Sequence, residues 1–208
     1  MDASATTAAV PAVRPYRSSD VTTASSLLYE SAGGLYDRYA GSPRLAGRAL
    51  ARTLEHENTT ASADVVWVAE LDGRVAGAMA AMPVDWWAPR SRVFLSVTLR
   101  AIPPWRWPAA LWLYRTGARA ARALPANSLY VDSLATAAHA RRRGVARALL
   151  AEADRQARSR GLPRVALDAF ADNRAARALY LSAGFRETGF TPATGAMPAG
   201  VSLVKELD

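Results

Sequence analysis

Apolar and polar positions alternate along this chain in two periods, and the periods change several times. Residues 10–17 have the length and flanks of a short first strand. Asp20 stands as an N-cap before a helical stretch over residues 21–31, which Gly33-Gly34 breaks. Pro43 opens a second helix over residues 44–57, with Leu45, Leu50 and Leu54 on its apolar side. Residues 64–71 (DVVWVAEL) are rich in β-branched and aromatic side chains, and Asp72-Gly73 is a hairpin turn signal. Residues 74–82 then pair back as the next strand, so residues 64–82 read as a β-hairpin. Further strands are predicted over residues 129–136, 164–170, 185–190 and 201–205. Between them, Val145, Leu149, Leu150, Ala153 and Ala157 recur at helical spacing over residues 144–160, and Gly161 ends that helix. A last helix covers residues 173–183. The order predicts an α/β fold, a mixed central sheet flanked by helices.

Residues 83–128 interrupt this rhythm. Five of the six tryptophans lie here (Trp86, Trp87, Trp105, Trp107 and Trp112), punctuated by prolines, with a helix predicted over residues 109–124. So long a connection is usually functional rather than slack. The expected organisation is a disordered tail at residues 1–9 and a single domain over residues 10–208, with a Trp/Pro-rich insertion at about 83–128. The most apolar window, residues 93–114, is broken by Arg100, Arg106 and three prolines, so no membrane span is expected. With no basic leader at the start, the expected compartment is the cytoplasm.

Composition narrows the chemistry. The 208 residues hold no cysteine and two histidines, which excludes disulfides and thiolate nucleophiles and argues against a metal centre. The formal charge is +8, and of 26 basic residues only Lys205 is a lysine. Such a balance favours anionic partners. Much of the excess sits in residues 138–160, where seven arginines face only Glu152 and Asp154. Arg141, Arg142 and Arg143 stand at the start of a helix, where unpaired N–H groups already carry partial positive charge. Like signs together imply an anion between them, and Gly144 and Ala146 let a phosphate approach the backbone closely. Neither a P-loop nor a GxGxxG dinucleotide fingerprint is present.

Arg141-Arg142-Arg143-Gly144-Val145-Ala146 resembles the [RQ]-x-x-G-x-[GA] signature of the GNAT N-acetyltransferase superfamily. Twenty-nine residues beyond Gly144, Asn173 opens a stretch similar to the family's N-x-x-A-x-x-L-Y-x-x-x-G-F pattern, through Ala176, Leu179, Tyr180, Gly184 and Phe185. Two motifs in order make the resemblance specific. It is close over residues 129–190, and residues 83–128 go beyond the family's minimal core. Ala138 stands where the family often has proline, and Arg142 where it often has glycine. Arg142 either narrows the pyrophosphate turn or adds a phosphate contact.

The resemblance implies a GNAT-like fold with an acyl-CoA cleft between the fourth and fifth strands. It implies acetyl-CoA as the acyl donor, no metal, and an amine acceptor: a small amine, an amino sugar, a polyamine, or a peptide N-terminus or lysine. It places pantetheine along Leu134, Ala135 and Thr136. It places the pyrophosphate on the amides of Arg142, Arg143, Gly144, Val145, Ala146 and Arg147, with Arg141 nearby. Asn173 would contact coenzyme A and Tyr180 would protonate the departing thiolate. Asn173 and Tyr180, seven residues apart, fall within about 20° of two full helical turns and so share a face. Asp132 is the first candidate base, on a strand face expected to include Tyr130, Leu134 and Thr136. Glu70 and Asp85 rank behind it, and His139 is expected near the phosphate end. Aromatics of the insertion with Glu30, Asp37 and Asp85 would cage the amine, opposite Gly33-Gly34. Homodimers are frequent in the family.

Two other readings fit some of these residues: a coenzyme A-binding sensor without catalysis, and an arginine-rich nucleic-acid binder. Single-strand binders interleave aromatics with basic residues, whereas here the two occupy separate segments.

Overall fold

The computed structural model describes residues 9–121, 124–195 and 197–208, so the tail assigned to residues 1–9 lies almost wholly outside the described residues. Seven strands form one sheet: β1 (Ala12–Pro15), β2 (Val66–Leu71), β3 (Arg74–Pro83), β4 (Ser128–Thr136), β5 (Arg164–Phe170), β6 (Arg186–Thr191) and β7 (Gly200–Glu206). Their order is β1-β2-β3-β4-β5-β7-β6. Every neighbouring pair is antiparallel except β4 and β5, which run parallel.

Among the described residues seven α-helices join the strands: α1 (Val21–Ser31), α2 (Leu35–Ala40), α3 (Pro43–Glu55), α4 (Val84–Ala101), α5 (Trp107–Ala121), α6 (Val145–Ser159) and α7 (Arg174–Ser182). Helix α3 begins where Ser42 Oγ accepts the Leu45 N–H and Pro43 takes the first turn, where a missing N–H costs nothing. Helices α6 and α7 bury their apolar stripe on one sheet face, with Leu149, Ala153 and Val145 packed on Met79, Ala81 and Leu129. Helix α1 and the end of α3 cover the other face, through Leu27, Leu28 and Leu54 on Val66, Val68 and Ala80. Full burial of each such leucine stabilises the fold by about 1.5–3 kcal/mol.

The stretch at residues 83–128 carries a helix close to the one expected at residues 109–124, and a second, α4, where the sequence pattern placed none and which holds Pro89 in its interior. Its periodicity is real: Trp87, Ser91 and Phe94 share one face and reach one cavity. Helix α4 is anchored by Arg90, which donates to the Thr59 carbonyl at 3.1 Å and to Ser62 Oγ at 3.0 Å. Its guanidinium also pairs with Asp64 at 2.5 Å. Among the described residues no helix is long and apolar enough to cross a membrane, and no group of three potential metal ligands occurs.

Candidate active site

Strands β4 and β5 are paired only over Ser128–Val131 and Arg164–Leu167. Beyond that point β4 stays with β3 and β5 stays with β7, so the two diverge. The β5-facing edge of Asp132, Ser133, Leu134, Ala135 and Thr136 therefore has no strand partner. Thr136 Oγ1 is buried there without a hydrogen bond.

A β-bulge marks the divergence. Ala81 pairs with Val131 and Ala80 with Ser133, leaving Asp132 as the extra residue. The bulge corrects the simple alternation expected for β4. Leu134 packs with Leu129 and Val131 towards α6, while Ala135 lies on the opposite face. Tyr130 packs near Trp87 on that opposite face. Asp132 and Leu134 thus no longer share the face that strict alternation assigns them.

A cavity of about 390 Å³ opens at the divergence. Asp132, Leu134, Asn173 and Tyr180 all line it. So do Tyr36 of α2, Trp87 and Phe94 of α4, and Leu113 and Tyr114 of α5. Side chains of α4 and α5 thus wall the cavity, but of the five tryptophans between residues 83 and 128 only Trp87 takes part. Trp86, Trp105, Trp107 and Trp112 are exposed. The acids expected to cage the amine are elsewhere. Asp37 accepts the Tyr29 hydroxyl at 2.8 Å, and neither it, Glu30 nor Asp85 lines the cavity. Glu70 is held by Arg14 at 2.6 Å on β2, outside the cavity. His139 is exposed on the 3₁₀ turn Ala138–Ala140 that precedes α6.

Asp132 Oδ1 accepts the Trp87 indole N–H at 2.7 Å. Burial pushes its carboxyl up to about 6; the Trp87 hydrogen bond opposes the rise and the nearby charge of Asp168 adds to it. Asp168, on β5 across the divergence, was missed from the sequence. A carboxylate inside the otherwise apolar strand RVALDAF was the available signal. Its Oδ1 accepts from Ser202 Oγ at 2.7 Å and its Oδ2 from the Tyr130 hydroxyl at 3.3 Å. Burial raises Asp168 as well, against both hydrogen bonds.

Tyr180 is 7 % exposed, and its hydroxyl has no hydrogen-bond partner among the described residues. Burial holds that hydroxyl up at about 12, so it keeps its proton at neutral pH. Asn173 caps α7, its Oδ1 accepting the Ala176 N–H at 3.1 Å, which leaves the amide NH₂ free.

The start of α6 is built for an anion. Gly144 has φ +83° and Arg142 φ +63°, and the left-handed turn points successive amides one way. The backbone N–H groups of Arg142, Arg143, Gly144, Val145, Ala146 and Arg147 find no acceptor among the described residues. The three arginines differ in direction. Arg143 turns back to Asp72 at 2.9 Å, Arg141 Nε lies 3.5 Å from the Thr136 carbonyl, and Arg142 carries no ion pair among the described residues. Arg147 donates to Ser182 Oγ at 3.1 Å, linking α6 to α7. Gly77 seats this helix end on the sheet: a Cβ there would lie 2.5 Å from Val145 Cγ1.

A mixed sheet whose one parallel pair diverges at a cavity, with a cradle of free amides at the start of α6, defines an acetyltransferase fold. The profile of the acetyltransferase (GNAT) family matches residues 34–185. The chain belongs to the GNAT acetyltransferase family. No curated protein sequence matches it significantly. Among solved structures, an acetyltransferase superposes with a TM-score of 0.68 at 17 % identity, covering 95 % of this chain and 100 % of the other. An N-acetyltransferase from Staphylococcus aureus gives 0.69 at 18 % identity, over 93 % and 99 % of the two chains. The ribosomal-protein-S18-alanine N-acetyltransferase of Escherichia coli gives 0.51 at 15 %, over 95 % and 94 %.

Proposed function

We propose that this chain is an N-acetyltransferase that passes the acetyl group of acetyl-CoA to a primary amine by direct attack, both substrates being bound together. Residues 10–208 act as one acetyltransferase domain, with α4 and α5 as an insertion that shapes the acceptor side. One observation carries the reading: a buried, protonated, unpartnered Tyr180 hydroxyl and the Asp132 carboxyl line the same cavity.

The donor supplies an activated thioester. The unpaired edge of Leu134, Ala135 and Thr136 offers backbone groups to its pantetheine arm. The free amides from Arg142 to Arg147, with Arg141 beside them, match a pyrophosphate. The Asn173 amide NH₂ is available for a further contact. Asp132 accepts a proton from the ammonium, directly or through water, which frees the nitrogen lone pair. As the C–N bond forms and the C–S bond breaks, Tyr180 gives its proton to the leaving sulfur. The nitrogen, cationic once the C–N bond has formed, passes its second proton through water to the Tyr180 oxyanion, and Asp132 releases the first to solvent, so the products are a neutral amide, the free thiol and one proton.

The test is a thermal titration followed by turnover. Acetyl-CoA at 100 times its dissociation constant stabilises the fold by about 2.7 kcal/mol. With an accepted amine, Tyr180→Phe lowers kcat by about 100-fold or more while acetyl-CoA affinity holds within a few-fold. Unimpaired turnover removes the acid role. A protein that does not bind acetyl-CoA overturns the whole reading.

A further inference from the structure

The cavity contradicts the rest of the molecule in charge. The chain carries 26 lysines and arginines and a net charge of +8, yet among the described residues no lysine, arginine or histidine lines the cavity. Its charged lining residues are Asp132 and Asp168, one on each strand of the diverging pair. Around them stand aromatic and aliphatic walls: Tyr36, Phe94, Leu113, Tyr114 and Met197. Trp87 holds Asp132, while Tyr130 and Ser202 hold Asp168. None of these partners brings a positive charge. Two carboxylates in an apolar cavity are costly until a cation joins them. Tyr180, 7 % exposed and with a hydroxyl that has no hydrogen-bond partner among the described residues, lines the same space and marks it as a place for a ligand.

What fits can be argued from charge, size and wall chemistry. An ammonium neutralises the pair and gains from the aromatic faces. A carboxylate, phosphate or sulfonate on the acceptor meets two like charges and, among the described residues, no basic side chain. A volume of about 390 Å³, shared with the thioester end of the donor, is small for a ligand pocket. Resting on the acetyl-transfer reading above, we propose that the acceptor is a compact alkyl- or aralkylamine whose ammonium is its only charged group. Asp168 is the second anion that selects it. Free amino acids are rejected at the cavity for their carboxylate.

Three probes of one shape test this: 2-phenylethylamine, L-phenylalanine and L-phenylalanine methyl ester. Initial rates with acetyl-CoA are expected to favour 2-phenylethylamine over L-phenylalanine by about 100-fold or more in kcat/KM, since like-charge juxtaposition is strongly disfavoured. The methyl ester, which lacks the negative charge, is expected to recover most of that gap. Asp168→Asn is expected to raise KM for 2-phenylethylamine and shrink the discrimination by about tenfold or more. A merely structural Asp168 would slow all probes alike and leave the ratio unchanged. Calorimetry of the same probes without donor separates the two readings. If no amine is acetylated but 2-phenylethylamine binds and L-phenylalanine does not, acetyl transfer fails and the charge selection stands. Equal or tighter binding of L-phenylalanine, or binding of neither probe, overturns the inference whatever the turnover.

Discussion

Replacing Asp132 with asparagine sets stability against function at a single atom. The carboxyl is pushed from 3.8 to about 6, chiefly by burial. That is about two pH decades at about 1.4 kcal/mol each, so ionised Asp132 costs the folded state roughly 3 kcal/mol at most. Asp168 contributes part of the shift and survives in the variant. The expected gain for Asp132→Asn at pH 7.5 is therefore about 1–3 kcal/mol. Asparagine keeps an oxygen for the Trp87 indole N–H, so that hydrogen bond is retained. The sign follows from proton counting. Below pH 3.8 both folded and unfolded wild type hold the proton, and the site adds no pH dependence. Between 3.8 and about 6 the unfolded chain releases it and the folded one keeps it, so this site's contribution to stability falls as pH rises. Above about 6 both are ionised and the cost stays constant. Urea unfolding of wild type and variant at pH 4, 6 and 7.5 reads the difference directly. The advantage of the variant grows across this range and then levels. In the same samples kcat/KM of wild type rises with pH through about 6, and the variant loses about 100-fold or more. A gap that is the same at pH 4 and pH 7.5, or a variant that is less stable at pH 7.5, refutes the argument. Full activity in the variant removes Asp132 as base.

Gly77→Ala puts a methyl 2.5 Å from Val145 Cγ1 and 3.1 Å from Leu149 Cδ1, which lifts the start of α6 from the sheet. Overpacking of this kind costs about 1–3 kcal/mol, and a falling Tm with weaker acetyl-CoA binding is expected. Unchanged affinity would detach the α6 start from donor binding. Arg142→Gly relieves a left-handed residue at φ +63°, which stabilises by about 1 kcal/mol. Acetyl-CoA affinity then decides between the two roles open to Arg142: weaker binding shows a phosphate contact, and tighter binding shows that the side chain crowds the turn.

Elements set by short-range chemistry were legible in the sequence. Residues 21–31 as a helix and 164–170 as a strand fall where the glycine break and the apolar run place them, but Asp20, expected as the helix cap, makes no side-chain cap and pairs with Arg14 instead. The hairpin at Asp72-Gly73 follows from its turn chemistry, and Asp72 takes the positive φ of 53° that the turn demands. Helix α2 escaped notice because six residues are too few to show a period. Helix α4 was hidden because Pro89 looks like an end, yet tertiary anchoring by Arg90 overrides that local signal. The bulge at Asp132 depends on how β3 pairs with β4, and no local pattern encodes it. Asp168 enters the site for the same reason: only the divergence of β4 from β5 brings its strand to the cavity.

The excursion through α4 and α5 leaves the sheet at Pro83 and re-enters at Ser128, and Pro83 faces Leu129 across the ladder. In closure geometry it is a hairpin loop that happens to contain two helices. Its ends are held at neighbouring positions whatever lies between them, and loop length adds little to the closure cost. The wall that α4 and α5 give the cavity is therefore a cassette closed at one ladder position. Strands β4 and β5, α6 and α7 keep their own pairings when it is replaced, provided the graft retains Trp87 against Asp132 and the Arg90 anchor to Thr59, Ser62 and Asp64. Grafting a different helical pair between Pro83 and Ser128 offers a route to a new amine preference with the donor machinery left in place.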